Sequence, residues 1–197
     1  MTGLGSARGV GGARSPVSSS QQRGLWEALC VCALIAIALA AAVPGQLVLL
    51  PALVALAVVT PRLVAVDVRE HRLPNGLVGV AALGVILASL ADWLLTGRPD
   101  LLAVGTGAII GILLLILSLV GGLGMGDVKL GAVLAWAAAL VDPSLAVVLV
   151  LLAVVLGGVQ SAIVLLRTRD RRRSIAFGPA LLAGYWLPVA WLAVLSC

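Results

Sequence analysis

The sequence predicts an all-α membrane protein with about seven transmembrane helices and a cytoplasmic N-terminus. Three observations predict this class. Apolar residues make up 62% of the 197, and charged residues only 11%. That is less than half the charged share of an ordinary soluble domain, too little to cover a water-facing surface. Aromatics are 4%, so the apolar mass is aliphatic and suits lipid-facing helices. Outer-membrane strands instead alternate polar and apolar and carry aromatic girdles. Finally, the apolar stretches recur at a length that crosses a hydrocarbon core of roughly 30 Å at about 1.5 Å per helical residue. The same composition excludes a soluble globular enzyme, a disordered chain and a disulfide scaffold.

Residues 1–24 are rich in Gly, Ser and Arg, carry no acid, and are expected to form a disordered cytoplasmic tail. Residues 25–197 are expected to form one polytopic domain. Its first run is Leu25–Val43, broken only by Glu27. A cleaved signal peptide is the rival reading of residues 1–43, although this apolar stretch is long for an h-region of roughly 7–15 residues. The second run is Leu47–Val66, with Pro51 inside and Arg62 near its end, and Asp67 closes it. The third is Leu77–Leu95, and the fourth is Leu101–Val120, which carries no charge. Gly107 and Gly111 in the fourth form a G-x-x-x-G that predicts close helix packing. The fifth, Asp127–Val141, is short. The sixth is Leu145–Leu166 and the seventh Ile175–Ser196.

Basic residues set the orientation. With the N-terminus inside, the cytoplasmic segments hold Arg8, Arg14, Arg23, Arg62, Arg69, Arg72, Lys129, Arg167, Arg169, Arg171, Arg172 and Arg173. Only Arg98 of the 13 Lys and Arg residues then falls outside. This is the asymmetry of the positive-inside rule, so the net charge of +5 reads as a topology signal and not as a nucleic-acid footprint. The run Arg167–Arg173 reads chiefly as topogenic, with anionic lipid as its other possible contact. Cys30, Cys32 and Cys197 contain no C-x-x-C pair and read as small apolar fillers.

The eight acids divide unevenly. Asp92, Asp100 and Asp142 read as solvated loop charges, Glu27 as a favourable charge at a helix start, and Glu70 and Asp170 as partners of nearby arginines. Asp67 and Asp127 are different. Two complete runs lie between them, and an even number of crossings returns the chain to the same membrane face. The fifth run from Asp127 to Asp142 is roughly 22 Å of helix, short of the core thickness. That places Asp127 below the interface, where an unpartnered charge costs on the order of 3 kcal/mol. The bland reading is a helix cap paired with Lys129. Before Asp127 stands Gly121-Gly122-Leu123-Gly124-Met125-Gly126, a stretch that permits tight turns and close approach. It matches neither the dinucleotide fingerprint nor the phosphate loop. Two carboxylates held together cannot both ionise easily, so one can take a proton from water while the other donates to a carbonyl oxygen.

These residues resemble a known family. Gly124-Met125-Gly126-Asp127-Val128-Lys129 is similar to the G-x-G-D-x-K pattern of type IV prepilin peptidases, membrane aspartic proteases of the GxGD class. Asp67 to Asn75, ending in Leu73-Pro74-Asn75, resembles that family's first motif, and Phe177-Gly178-Pro179 its Phe-Gly-Pro element. The resemblance spans residues 67–179 in the family's order. It implies an endopeptidase that cuts the basic leader from prepilins or pseudopilins at the cytoplasmic edge of a bacterial inner membrane, typically after a glycine. Asp67 and Asp127 would be its catalytic pair. Gly124, Gly126, Lys129, Leu73, Pro74, Asn75, Phe177, Gly178 and Pro179 would bind substrate or support the pair. The resemblance implies no metal or cofactor, and partners limited to leader segments and membrane lipid. The C-x-x-C domain of longer members, associated with N-methylation, has no counterpart in this sequence, which resembles the short, peptidase-only form. Two other readings compete with it. A small transporter would place its acids near the midplane between broken helices, and an idle pilus-assembly protein would not need the acids at all.

Overall fold

The computed structural model describes residues 26–27, 30–35, 37, 47–70, 73–121, 123–168 and 177–195. Six α-helices follow a short 3-10 turn at Leu47–Leu49: α1 (Leu50–Glu70), α2 (Asn75–Thr96), α3 (Leu101–Gly121), α4 (Met125–Ala139), α5 (Pro143–Thr168) and α6 (Gly178–Leu195). Among the described residues there is no strand. Among the described residues five segments are long and apolar enough to cross a membrane: Leu47–Glu70, Asn75–Thr96, Leu101–Val120, Pro143–Val164 and Gly178–Leu195. The chain is a multi-pass membrane protein. The expected first span, Leu25–Val43, falls largely outside the described residues, as do the tail 1–24, His71, Arg72, Asp170 and Cys197. Within that first span, Leu34, Ile35 and Ile37 pack against the core, and Cys30 and Cys32 are free and exposed.

The expected fifth span is α4, and it differs from the rest. It has 15 residues, roughly 22 Å of helix, too short to cross the core alone. It is apolar on every side, as a helix enclosed by others must be. Leu130, Leu134 and Ala135 are fully buried, and α2, α3, α5 and α6 all pack around it. The Gly107-x-x-x-Gly111 expectation is realised here. A Cβ on Gly107 would lie 2.6 Å from the Trp136 Cβ, and one on Gly111 2.9 Å from the Ala132 Cβ. The missing side chains let α3 lie directly on α4.

Helix ends depart from the sequence expectation where local chemistry intervenes. Asp67 does not close its helix: α1 continues to Glu70. No glycine or proline interrupts Val68-Arg69-Glu70, and Arg69 sits favourably in the last turn. Asp100 and Asp142 are not merely solvated. Asp100 Oδ1 accepts the Ala103 N–H (2.9 Å) at the start of α3, and Asp142 Oδ1 accepts the Ser144 N–H (2.7 Å) at the start of α5. Each satisfies a helix-start donor that no backbone carbonyl can reach. Hydrogen bonds from the Ser144 hydroxyl and then its N–H hold the Asp142 carboxyl below its ordinary range. At the other end of α2, Gly97 adopts φ 72° and returns its N–H to the Trp93 carbonyl, a left-handed turn for which glycine is suited.

The topology has one consequence for function. α1, α3 and α5 end at one pole of the bundle, and α2, α4 and α6 begin there. The described link residues 73–74, 123–124 and 177 therefore lie at the same pole.

Candidate active site

Each candidate residue is carried to that pole by an ordinary helix boundary. Asp67 sits one turn before the end of α1. Leu73 and Pro74 follow in the link, and the Pro74 carbonyl accepts the N–H groups of Leu77 (3.1 Å) and Val78 (3.3 Å), starting α2 at Asn75. Gly124 plays the same part for α4, accepting the Asp127 N–H at 3.0 Å. Asp127 therefore lies in the first turn of α4. At α6 the Phe177 carbonyl accepts from Ala180 (3.1 Å) and Leu181 (3.2 Å). That leaves the Gly178 N–H as a free helix-start donor, while Pro179 has none to satisfy.

The two acids are the deepest charges described in the molecule. Asp67 is 3% exposed and Asp127 8% exposed. They come from helices 60 positions apart in sequence, yet they line one cavity of about 290 Å³ with Leu73, Asn75, Gly124, Met125, Gly126 and Lys129. They are near enough to interact electrostatically. Asp67 Oδ2 accepts the Gly178 N–H at 3.0 Å, a bond that joins residues 111 apart. This donor belongs to the N-terminal end of α6, whose dipole complements a carboxylate. Asp127 Oδ2 rests against Gly124, where a Cβ would stand 3.1 Å away. Asp127 Oδ1 is buried with no hydrogen-bond partner. A buried oxygen in that condition calls for a reason, and an acceptor kept for a reactant is one.

Glycines shape the cavity by what they omit. A Cβ on Gly126 would meet the Leu73 Cβ at 2.7 Å, and one on Gly178 would meet Asp67 Oδ2 at 2.6 Å. Any larger residue at either position drives a wedge into the pair's surroundings. At the mouth, Lys129 Nζ donates to Asn75 Oδ1 at 3.1 Å. Lys129 thus ties α4 to α2 across the cavity, a role that the helix-cap reading of Asp127 and Lys129 does not contain. Among the described residues no cluster of three or more His, Cys, Asp or Glu side chains is placed to hold a metal ion.

A family model decides what these residues belong to: it matches residues 54–162, more than half of the chain. The chain belongs to the type IV leader peptidase family. Comparison with curated proteins and with solved structures gave no match. The matched region contains both acids and the glycine-rich link, while Phe177 to Pro179 lie beyond it.

Of the candidates in this peptidase, Asp67, Leu73, Asn75, Gly124, Gly126, Asp127 and Lys129 line the cavity together. Pro74 caps α2, and Gly178 bonds Asp67 from behind. Phe177 lies apart, its ring seated against Gly157 of α5. Three residues escaped the sequence. Met125 lines the cavity, though it could have been taken from within the glycine motif. Gly157 looks like any small residue in an apolar span. The third, Thr60, stands two turns before Asp67. It accepts the Trp186 indole N–H at 3.0 Å and donates to the Leu56 carbonyl at 2.6 Å. That second link fastens α6 to α1 below the Asp67–Gly178 bond.

Proposed function

We propose that this peptidase is an aspartic endopeptidase that removes the basic leader from type IV prepilins or pseudopilins, with Asp67 and Asp127 as its catalytic pair. The observation that carries the reading is the shared cavity: two buried carboxylates from distant helices, with Lys129 as the basic residue lining it among the described residues. Burying a charged carboxylate without compensation is costly, on the order of 3 kcal/mol at the bilayer centre. A structural role would not require both in one cavity.

The chemistry follows from the pair acting as a unit that carries one proton. The ionised member takes a proton from a water molecule as the water oxygen attacks the scissile carbonyl carbon. The protonated member gives its proton to the carbonyl oxygen. Collapse of the tetrahedral diol returns a proton to the pair and passes one to the leaving amine as the C–N bond breaks. The Gly178 N–H holds Asp67 in place, and the buried Asp127 Oδ1 keeps its acceptor capacity for the water or the peptide. Asn75 and Lys129 at the mouth, and the bare surfaces of Gly124 and Gly126, form the wall along which the cleavage segment lies.

The pole that holds the cavity faces the cytoplasm of a bacterial inner membrane in this reading. Arg62, Arg69 and Lys129 belong to it, and Arg167 stands in the last turn of the helix that ends there. Leu25–Val43 and α4 complete seven spans, with the N-terminus and the tail 1–24 inside. Lipid and a leader segment are the partners. The test is cleavage of a co-expressed prepilin by D67N and D127N, followed by the mobility of the processed pilin. Each variant is expected to leave the precursor intact, a rate loss of at least about a thousand-fold. Wild-type processing by either one overturns the pair.

A further inference from the structure

We propose that Gly157 of α5 is a positioning residue for catalysis, its bare backbone seating the Phe177 ring so that the Gly178 N–H is delivered to Asp67. The inference rests on the aspartic-peptidase reading and deepens it. A chain of contacts leads from α5 to the pair. A Cβ built on Gly157 collides with Phe177 Cε2 and stands 2.7 Å from Cδ2, both below any ordinary carbon contact. The ring therefore fills the space that a side chain at position 157 would take. Phe177 is half-buried against the core, and the very next residue donates to Asp67 Oδ2 at 3.0 Å. The Phe177 carbonyl also starts α6, so the ring anchors both the helix start and its free donor.

The collision involves the Cδ2–Cε2 edge of the ring. Turning the ring about its Cβ–Cγ bond carries that edge aside only by pressing it into the core residues on which the ring packs. The added methyl group therefore displaces the side chain as a whole, and the 177–178 backbone shifts with it. That movement draws the Gly178 N–H off Asp67, and α6 is directed elsewhere by the displaced anchor. Gly158, the adjacent residue, supplies a control, because a Cβ there meets nothing within 4 Å.

The experiment measures kcat and KM on purified full-length protein in detergent. The probe is a synthetic peptide with a basic leader, a glycine and the apolar segment that follows. G157A is expected to lower kcat by about a hundred-fold with little change in KM, the effect of misplacing a reacting group by an ångström or so. G158A stays within about two-fold of wild type, as expected of a substitution that touches nothing. Shortening the ring makes room again, so G157A/F177L recovers at least about ten-fold in kcat over G157A, the order expected when part of the misplacement is undone. F177A, which adds no bulk and removes the anchor, lowers kcat as G157A does, and keeps the test open if G157A does not accumulate. Equal kcat for G157A and G158A, no recovery in the double variant, or wild-type kcat in F177A would overturn the inference. Failure of the underlying reading looks different: D67N would then cleave the same peptide.

Discussion

At the residue scale, partners decide which polar groups matter. The acids with bland sequence readings find local donors: Asp100 and Asp142 cap helices. Their spacing before α3 and α5, with Pro143 at the first helical position, is a helix-start signature. Asp67 and Asp127 instead find each other and the cavity. Lys129 is a lesser contributor, since its bond to Asn75 is exposed and neutral at one end. K129M is expected to reduce cleavage by no more than about ten-fold, the worth of one such hydrogen bond. The rate of peptide cleavage by the purified variant checks this. Thr60 is a stability residue. T60V leaves the buried Trp186 N–H without its acceptor and should cost about 1–3 kcal/mol, while T60V/W186F removes both partners and should cost less than T60V alone. Thermal unfolding in detergent, followed for both variants, measures the difference.

At the element scale, the helices behave as closely packed rods wherever glycine permits it. Two glycines with opposite surroundings make the point. Gly107 is pressed against Trp136, while a Cβ on Gly79 of α2 meets nothing within 4 Å. G107A is expected to lower the unfolding temperature. G79A is expected to hold or raise it, because alanine in an open helix position is favoured over glycine by roughly 0.5–1 kcal/mol. A unfolding scan of the two variants side by side checks the contrast. Much of this level was legible in the sequence. The G-x-x-x-G face, the short α4 and the same-face placement of Asp67 and Asp127 all follow from spacing and from counting runs. What was not legible depends on contacts between distant residues. Gly157 acquires meaning only from the Phe177 ring, and Thr60 only from Trp186, and neither pairing leaves a trace in local pattern. The end of α1 was misplaced for a related reason. Asp67 looks like a terminus by polarity, but the backbone had no cause to stop before Glu70.

At the scale of the whole molecule, alternation of helix direction does what no single element can. It brings the ends of α1, α3 and α5 and the starts of α2, α4 and α6 to one pole. The links at that pole become the walls of a site, and the donor-rich starts of three helices surround two acids, which suits negative charge. The same alternation predicts where labels will react. With Cys30, Cys32 and Cys197 replaced by serine, a cysteine at Ser144 should react with an impermeant thiol reagent added outside intact cells. A cysteine at Asn75 should react only after the membrane is opened. The reverse pattern would place the cavity on the outer face. The central claim is that Asp67 and Asp127 act as one catalytic unit, and a double-mutant cycle tests it most directly. The kcat/KM for leader cleavage would be measured for D67N, D127N and D67N/D127N. Residues that act as a unit are grossly non-additive, so the double variant should be no slower than either single one. Losses that multiply, or a single variant near wild-type activity, would contradict the account.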